Sequence, residues 1–174
     1  MTVDEFLAAY DAGKRDFQDI VLESVSLFDR DFRNCNFSRA QLQNAYFPYS
    51  NFSRGRFMEA NLTGADLSNA ALRAVDLSDA VLPGATLAYA NLQGARLRGA
   101  DLRQASLYRA DLTGADLTGA NLTGANLSRT VLFKAVVAEA DLRGVNLFRA
   151  QQVDLQGALC DRTTIGPDGH PLEK

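Results

Sequence analysis

The residues best suited to chemistry in this chain are few and far apart. Its 174 residues include one histidine, His170, and two cysteines, Cys35 and Cys160. A Cys/His nucleophile pair or a cysteine–histidine zinc cluster needs several such groups side by side. A lone histidine in a Pro/Gly-containing tail and two cysteines near opposite ends supply neither. Asp111 and Asp116 are five residues apart, but they occupy the same slot in successive copies of a repeat and so face different walls. Thr113-Gly114 and its copies are not a phosphate loop, because no Gly-Lys-Ser/Thr sequence or following helix occurs. No catalytic, cofactor-binding or metal-ligating set emerges, so neither an enzyme nor a cofactor is expected.

The dominant pattern is structural. Leucine or phenylalanine falls on every fifth residue from Phe17 to Leu147, with Val137 the only exception. Two residues before most of these slots stands an alanine, as in Ala60-Asn61-Leu62 and Ala110-Asp111-Leu112. On an unbroken helix a step of five turns by about 500°, so the leucines would spiral around the axis. On an unbroken strand, residues five apart point to opposite faces. A corner in every repeat removes the conflict, with alanine and leucine both facing inward. The slot before the leucine is usually Asp or Asn, and the two after it favour Ser, Thr, Arg, Gln and Gly, which suit turns. Such a run of identical small units reads as a solenoid.

The stretch Ala110-Asp111-Leu112-Thr113-Gly114-Ala115-Asp116-Leu117-Thr118-Gly119-Ala120-Asn121-Leu122-Thr123-Gly124 closely resembles the pentapeptide-repeat family, consensus A(D/N)LXX. The resemblance spans about residues 15 to 150. It implies an all-β solenoid, a right-handed quadrilateral β-helix with four repeats per coil. The opening Ala12-Gly13-Lys14-Arg15-Asp16-Phe17 and the closing Pro167-Asp168-Gly169 are similar to the ends of compact cyanobacterial members that regulate heterocyst differentiation. That likeness implies a protein partner such as a transcriptional regulator.

Charge and composition narrow the remaining classes. A net charge of −3, with 18 basic and 21 acidic residues interspersed, gives no nucleic-acid footprint. The acidic start Met1-Thr2-Val3-Asp4-Glu5 is no secretory signal, and no apolar run reaches membrane-span length. A cytoplasmic protein is expected, without direct nucleic-acid or membrane binding, as a monomer or weak homodimer. Cys35 and Cys160 fall in inward slots about six coils apart, roughly 25–30 Å at the layer spacing of a sheet, too far for a disulfide.

Three segments are expected: residues 1–14 as an N-terminal cap, 15–165 as the coil, and 166–174 as a tail. Residues 2–12 read as a short helix with a Thr2/Glu5 capping box, an apolar face of Phe6, Leu7 and Tyr10, and Gly13 as its stop. It should lie over a phenylalanine-rich first turn (Phe17, Phe32, Phe37, Phe47, Phe52, Phe57), where Cys35, Ser50 and Gly55 make room for the rings. Arg30 occupies an inward slot, which is costly unless its charge escapes or pairs, and Asp4, Glu5 or Asp11 are its expected partners. Gln151-Gln152-Val153 breaks the register near 151–154, after which Leu155, Cys160 and Ile165 resume the spacing of five.

With the interior filled, recognition must use the outer walls. On four sides, residues twenty apart stack. The wall of Leu27, Phe47, Leu67, Leu87, Leu107, Leu127 and Leu147 carries Phe28, Tyr46, Tyr49, Tyr89, Tyr108 and Phe148 outward. An arginine ladder, Arg109, Arg129 and Arg149, runs beside them. Aromatics and arginine are the types enriched at protein interfaces, which makes this wall the candidate interaction surface. Val131, Phe133 and Val136 form a second, apolar patch, either an interface or a surface covered by the tail. The expected function is a non-enzymatic scaffold for protein–protein interaction. The alternative is a DNA mimic that binds or inhibits DNA gyrase, as fluoroquinolone-resistance members of the family do. Its acidic wall would be Asp16, Asp19, Glu59, Asp76, Asp79, Asp116 and Glu139, but Arg39, Arg56, Arg96 and Arg98 interrupt it.

Overall fold

A hydrogen-bond register of twenty residues builds the molecule. In the computed structural model, which describes residues 1–172, Asp16 pairs with Asn36, Asn36 with Arg56, and so on to Val131 with Gln151, always in parallel. Twenty residues are four repeats, so each coil has four sides. The leucine N–H of one coil donates to the next (Leu62 to Val81 O, 2.7 Å), and the N–H just before it donates to the coil above (Asn61 to Ala40 O, 2.9 Å). Among the described residues the walls consist of single-residue bridges rather than longer strands. A corner every five residues leaves no room for more.

The corners are fixed locally. Each alanine N–H closes a turn onto the preceding leucine carbonyl, as from Ala65 to Leu62 at 2.9 Å. The residue before that alanine takes positive φ even where it is not glycine: Asn69 has φ 59°, Ala74 51° and Arg109 56°. The Asp or Asn slot supports the turn, since Asp66 Oδ1 accepts the Ser68 N–H at 2.9 Å and Asn121 Oδ1 that of Thr123 at 3.0 Å. This is why short side chains with an acceptor oxygen recur there.

Inside, alanine and leucine are sealed: Ala100, Leu102, Ala110 and Leu112 have no exposed surface. The first coils instead stack phenylalanines. Phe17 lies over Phe37 (5.7 Å between centroids), Phe37 over Phe57 (5.1 Å), and Phe32 over Phe52 (5.5 Å). Gly55 allows a close backbone approach beside them, because a Cβ there would meet Phe52 O at 2.8 Å and Cys35 O at 3.2 Å. Three buried hydroxyls sit in alanine slots. Ser50, Thr130 and Thr164 donate to the carbonyls of Leu27 (3.0 Å), Leu107 (2.9 Å) and Leu142 (2.9 Å), so none is left unpaired.

The first helix, α1 (Val3–Asp11), carries the capping box: Glu5 N donates to Thr2 Oγ1 at 3.2 Å, and Thr2 N to Glu5 Oε2 at 2.7 Å. Phe6 is buried against Phe17 (4.7 Å), Phe32 (5.4 Å) and Phe37 (6.0 Å), so α1 covers the open end of the aromatic stack. The Tyr10 hydroxyl donates to Asp31 O, and Arg15 lies over the Tyr10 ring at 4.0 Å. Arg30 departs from the expectation of a buried ion pair with Asp4, Glu5 or Asp11. Its side chain is exposed and forms no ion pair with any described residue. The contacts of α1 fall on the phenylalanines and Asp31, and the guanidinium keeps its water.

At the far end the register slips twice. Asp141 pairs with Leu159, eighteen residues on, and Asn146 with Ile165, nineteen on. Leu155 and Cys160 keep inward, partly buried positions. Ile165 does not, because it takes the bridging slot while Thr164 and Gly166 are buried on either side of it. The six-residue step from Cys160 to Gly166 is what displaces it. The chain then folds back, with Ile165 pairing antiparallel to Pro171. Of the expected 166–174 tail, Glu173 and Lys174 lie outside the described residues.

Candidate functional site

The aromatic wall is built by the turn positions of successive repeats, and coil closure sorts it into separate clusters. Near the helical end, Phe28 and Tyr49 meet edge-on at 5.5 Å between centroids. Tyr46 stands exposed on the other edge of the wall. One coil further, Asp66, Ser68 and Asn69 interrupt the aromatic surface, so the wall is not continuous. Below them Tyr89 and Tyr108 meet edge-on at 5.6 Å, and the Arg109 guanidinium lies 5.7 Å and 5.6 Å from the two rings. Arg129 and Arg149 continue the column, with Arg149 5.0 Å from the Phe148 ring. Arg109, Arg129, Arg149 and Gln151 line a shallow depression of about 380 Å³. The tail covers part of Phe148, since a Cβ on Gly169 would lie 3.1 Å from its ring.

The second patch stays open. Phe133 and Val136 remain 42% and 48% exposed, so the described part of the tail does not cover them. Leu159, 57% exposed, is an apolar residue in the outward slot before Cys160, where it bridges to Asp141.

Three of the seven acids on the acidic wall pair with its own arginines. Arg39 Nε lies 2.7 Å from Asp19, Arg98 3.1 Å from Asp116 and Arg96 3.5 Å from Asp76. Within single repeats Arg33 pairs with Asp31 (2.6 Å), Arg103 with Asp101 (2.6 Å) and Arg143 with Asp141 (2.5 Å). The Arg39 hydrogen bond holds the Asp19 carboxyl below its usual range. The Arg143 fork holds Asp141 down at about 2. Burial pushes the Cys35 thiol up to about 11, which makes it a packed hydrophobe rather than a nucleophile. Cys35 and Cys160 are not joined in a disulfide. No cluster of His, Cys, Asp and Glu among the described residues has the arrangement to hold a metal ion. No helix among them is long and apolar enough to cross a membrane.

A twenty-residue coil of A(D/N)LXX units defines a pentapeptide-repeat protein, and the chain belongs to that family: residues 31–64, 65–104 and 110–147 match the pentapeptide repeats in eight copies. Family members of known structure form right-handed quadrilateral β-helices and are generally non-enzymatic scaffolds. Among solved structures, the chain is similar to HetL from the cyanobacterium Nostoc sp. strain PCC 7120, a pentapeptide repeat protein involved in heterocyst differentiation regulation. The two are 30% identical over 99% of this chain and 100% of HetL, with a TM-score of 0.60. Rfr23 from the cyanobacterium Cyanothece 51142 shares the fold at 23% identity, covering 95% of this chain and 99% of its own, with a TM-score of 0.51. QnrB1, a plasmid-mediated fluoroquinolone resistance protein, does so at 21% identity, 84% and 92% coverage, and a TM-score of 0.57. No curated protein sequence matches the chain significantly.

Proposed function

We propose that this protein is a non-enzymatic, cytoplasmic scaffold, a right-handed quadrilateral rod that docks a regulatory protein partner on its aromatic–arginine wall. The Tyr89–Tyr108–Arg109 cluster carries the reading. The exposed Tyr89 ring and the half-buried Tyr108 ring share one guanidinium on one coil, and rigid aromatics with arginine are the usual anchors of protein interfaces. The likeness to HetL over the full length of both chains supports a regulatory partner such as a transcriptional regulator. The gyrase-binding alternative has the fold of QnrB1 behind it, but Arg39, Arg96 and Arg98 pair with Asp19, Asp76 and Asp116 and interrupt the acidic face that a DNA mimic would present. Affinity capture with the wild type and with Tyr89→Ala/Tyr108→Ala/Arg109→Ala tests the reading. A partner retained by the wild type should be lost from the variant at unchanged melting temperature. Equal retention by both rejects this wall as the docking face.

A further inference from the structure

Arg109, Arg129 and Arg149 occupy the same turn slot in three consecutive coils, with φ of 56°, 61° and 59°. At two other places on the rod an arginine pairs with an aspartate one coil away, Arg39 with Asp19 and Arg96 with Asp76. This column has no such acid: none of its three guanidiniums forms an ion pair among the described residues. Nearby carboxylates are engaged. Asp111 accepts from Gln93 Nε2 at 2.6 Å and Thr113 N at 2.9 Å, and Asp168 accepts from His170 N at 3.0 Å. Three like charges about 4.8 Å apart, the layer spacing of the coil, repel one another unless an anion meets them.

The pitch of the column selects the shape of that anion. Its three rungs span about 9.6 Å along the rod. On an α-helix, residues i and i+3 or i+4 share a face and rise about 4.5–6 Å, and i to i+7 rises about 10.5 Å. An extended strand presents same-face residues about 6.6 Å apart, so three of them cover about 13 Å and drift off the ladder. Beside the arginines stand Tyr89, Tyr108 and Phe148, rings along the same axis with the buried Ser128 between the last two. We infer that the wall accepts an amphipathic α-helix of the partner, lying along the rod axis. Asp or Glu at i, i+3 or i+4, and i+7 meets Arg109, Arg129 and Arg149, and an adjacent apolar stripe packs on Tyr108 and Phe148. Carboxylate–guanidinium forks fix the axial register of the partner. The inference rests on the proposed docking wall and specifies what that wall recognises.

A labelled, alanine-rich helical peptide of about twenty residues, with Glu at i, i+4 and i+7 beside a leucine stripe, is the probe. Fluorescence anisotropy at low salt should show saturable binding. The expected loss is about tenfold with Arg129→Gln, the equivalent of removing one charge-assisted pair. Gln104 and Gln152 already sit in this turn slot at φ 58° and 55°, so glutamine is accommodated there. Arg54→Gln should bind as the wild type does. A peptide of the same composition with glutamates every fifth residue should bind at least about tenfold more weakly, because its charges spiral off the face. No binding, equal binding of the two peptides, or displacement by inorganic polyphosphate at equal charge concentration would each overturn the inference. If Arg109→Gln/Arg129→Gln/Arg149→Gln keeps a captured partner that Tyr89→Ala/Tyr108→Ala loses, the docking wall stands and the acidic helix falls.

Discussion

A turn that demands positive φ from whatever residue occupies it is the repeating local decision in this chain. Ala74 accepts that slot with φ 51° and an exposed side chain, whereas Gly114 has open space around its missing Cβ. Ala74→Gly is therefore expected to stabilise the protein by up to about 1 kcal/mol, and Gly114→Ala to destabilise it by a similar amount. Equilibrium denaturation of the two variants measures both, and shifts of the same sign would contradict the strain argument. Asp141 makes a second residue-scale prediction. Its carboxyl is held near 2 by the Arg143 hydrogen bond, below an unfolded value of about 3.9. A depressed carboxylate contributes stability that is complete above about pH 4 and disappears as pH falls towards 2. Asp141→Asn keeps an oxygen for the Arg143 N–H, a 3.1 Å bond in the wild type, but removes the charge. Its stability should fall less steeply between pH 5 and pH 2 than that of the wild type, and parallel curves would remove Asp141 from the acid response.

At the scale of elements, α1 acts as a lid whose most deeply buried ring is Phe6. Phe6 is 1% exposed and touches three phenylalanines of the stack beneath it. Truncating a buried phenylalanine to alanine costs about 3–5 kcal/mol when its site cannot collapse. In a solenoid that loss falls mainly on the units in contact. Phe6→Ala should therefore expose the amide hydrogens of Phe17, Leu22 and Phe32 to faster exchange, while Leu102 and Leu112 in the middle of the rod stay protected. Uniform acceleration along the whole rod would show that α1 stabilises the coil globally instead of capping it. The capping box and Phe6 were both legible in the sequence, because cap chemistry is local and an aromatic run needs a cover. For Arg30 the expected pairing is not found, because an inward charge can also be relieved by solvent. In the first coil the side chain reaches solvent instead.

For the whole molecule, the arrangement of charge matters more than its sum. A net charge of −3 is compatible with an acidic rod, but the paired arginines leave no continuous anionic face on the wall of Asp19, Asp76 and Asp116. The purified protein is expected to leave gyrase supercoiling unaffected at a stoichiometric ratio. Inhibition or protection at that ratio would move the function to the gyrase-binding class. The arginine column on the aromatic wall is the complementary case. Its charges were visible in the sequence as a twenty-residue spacing, but their lack of acid partners was not.

The sequence by itself determined inside from outside. A period of five with alanine two places before leucine specifies a corner per repeat, because side-chain direction is set by the local backbone. Four sides came with the family likeness, and the twenty-residue bridges confirm that number. Only the tertiary structure decided which surface groups meet: Tyr89 with Tyr108 and Arg109, Arg39 with Asp19, the tail with Phe148. It also decided where the register slips, turning Ile165 into a bridge. Those contacts join residues about twenty apart that become neighbours only when the coil closes. Which partner a flexible guanidinium takes then depends on the acids within its reach, and the repeat leaves that choice open.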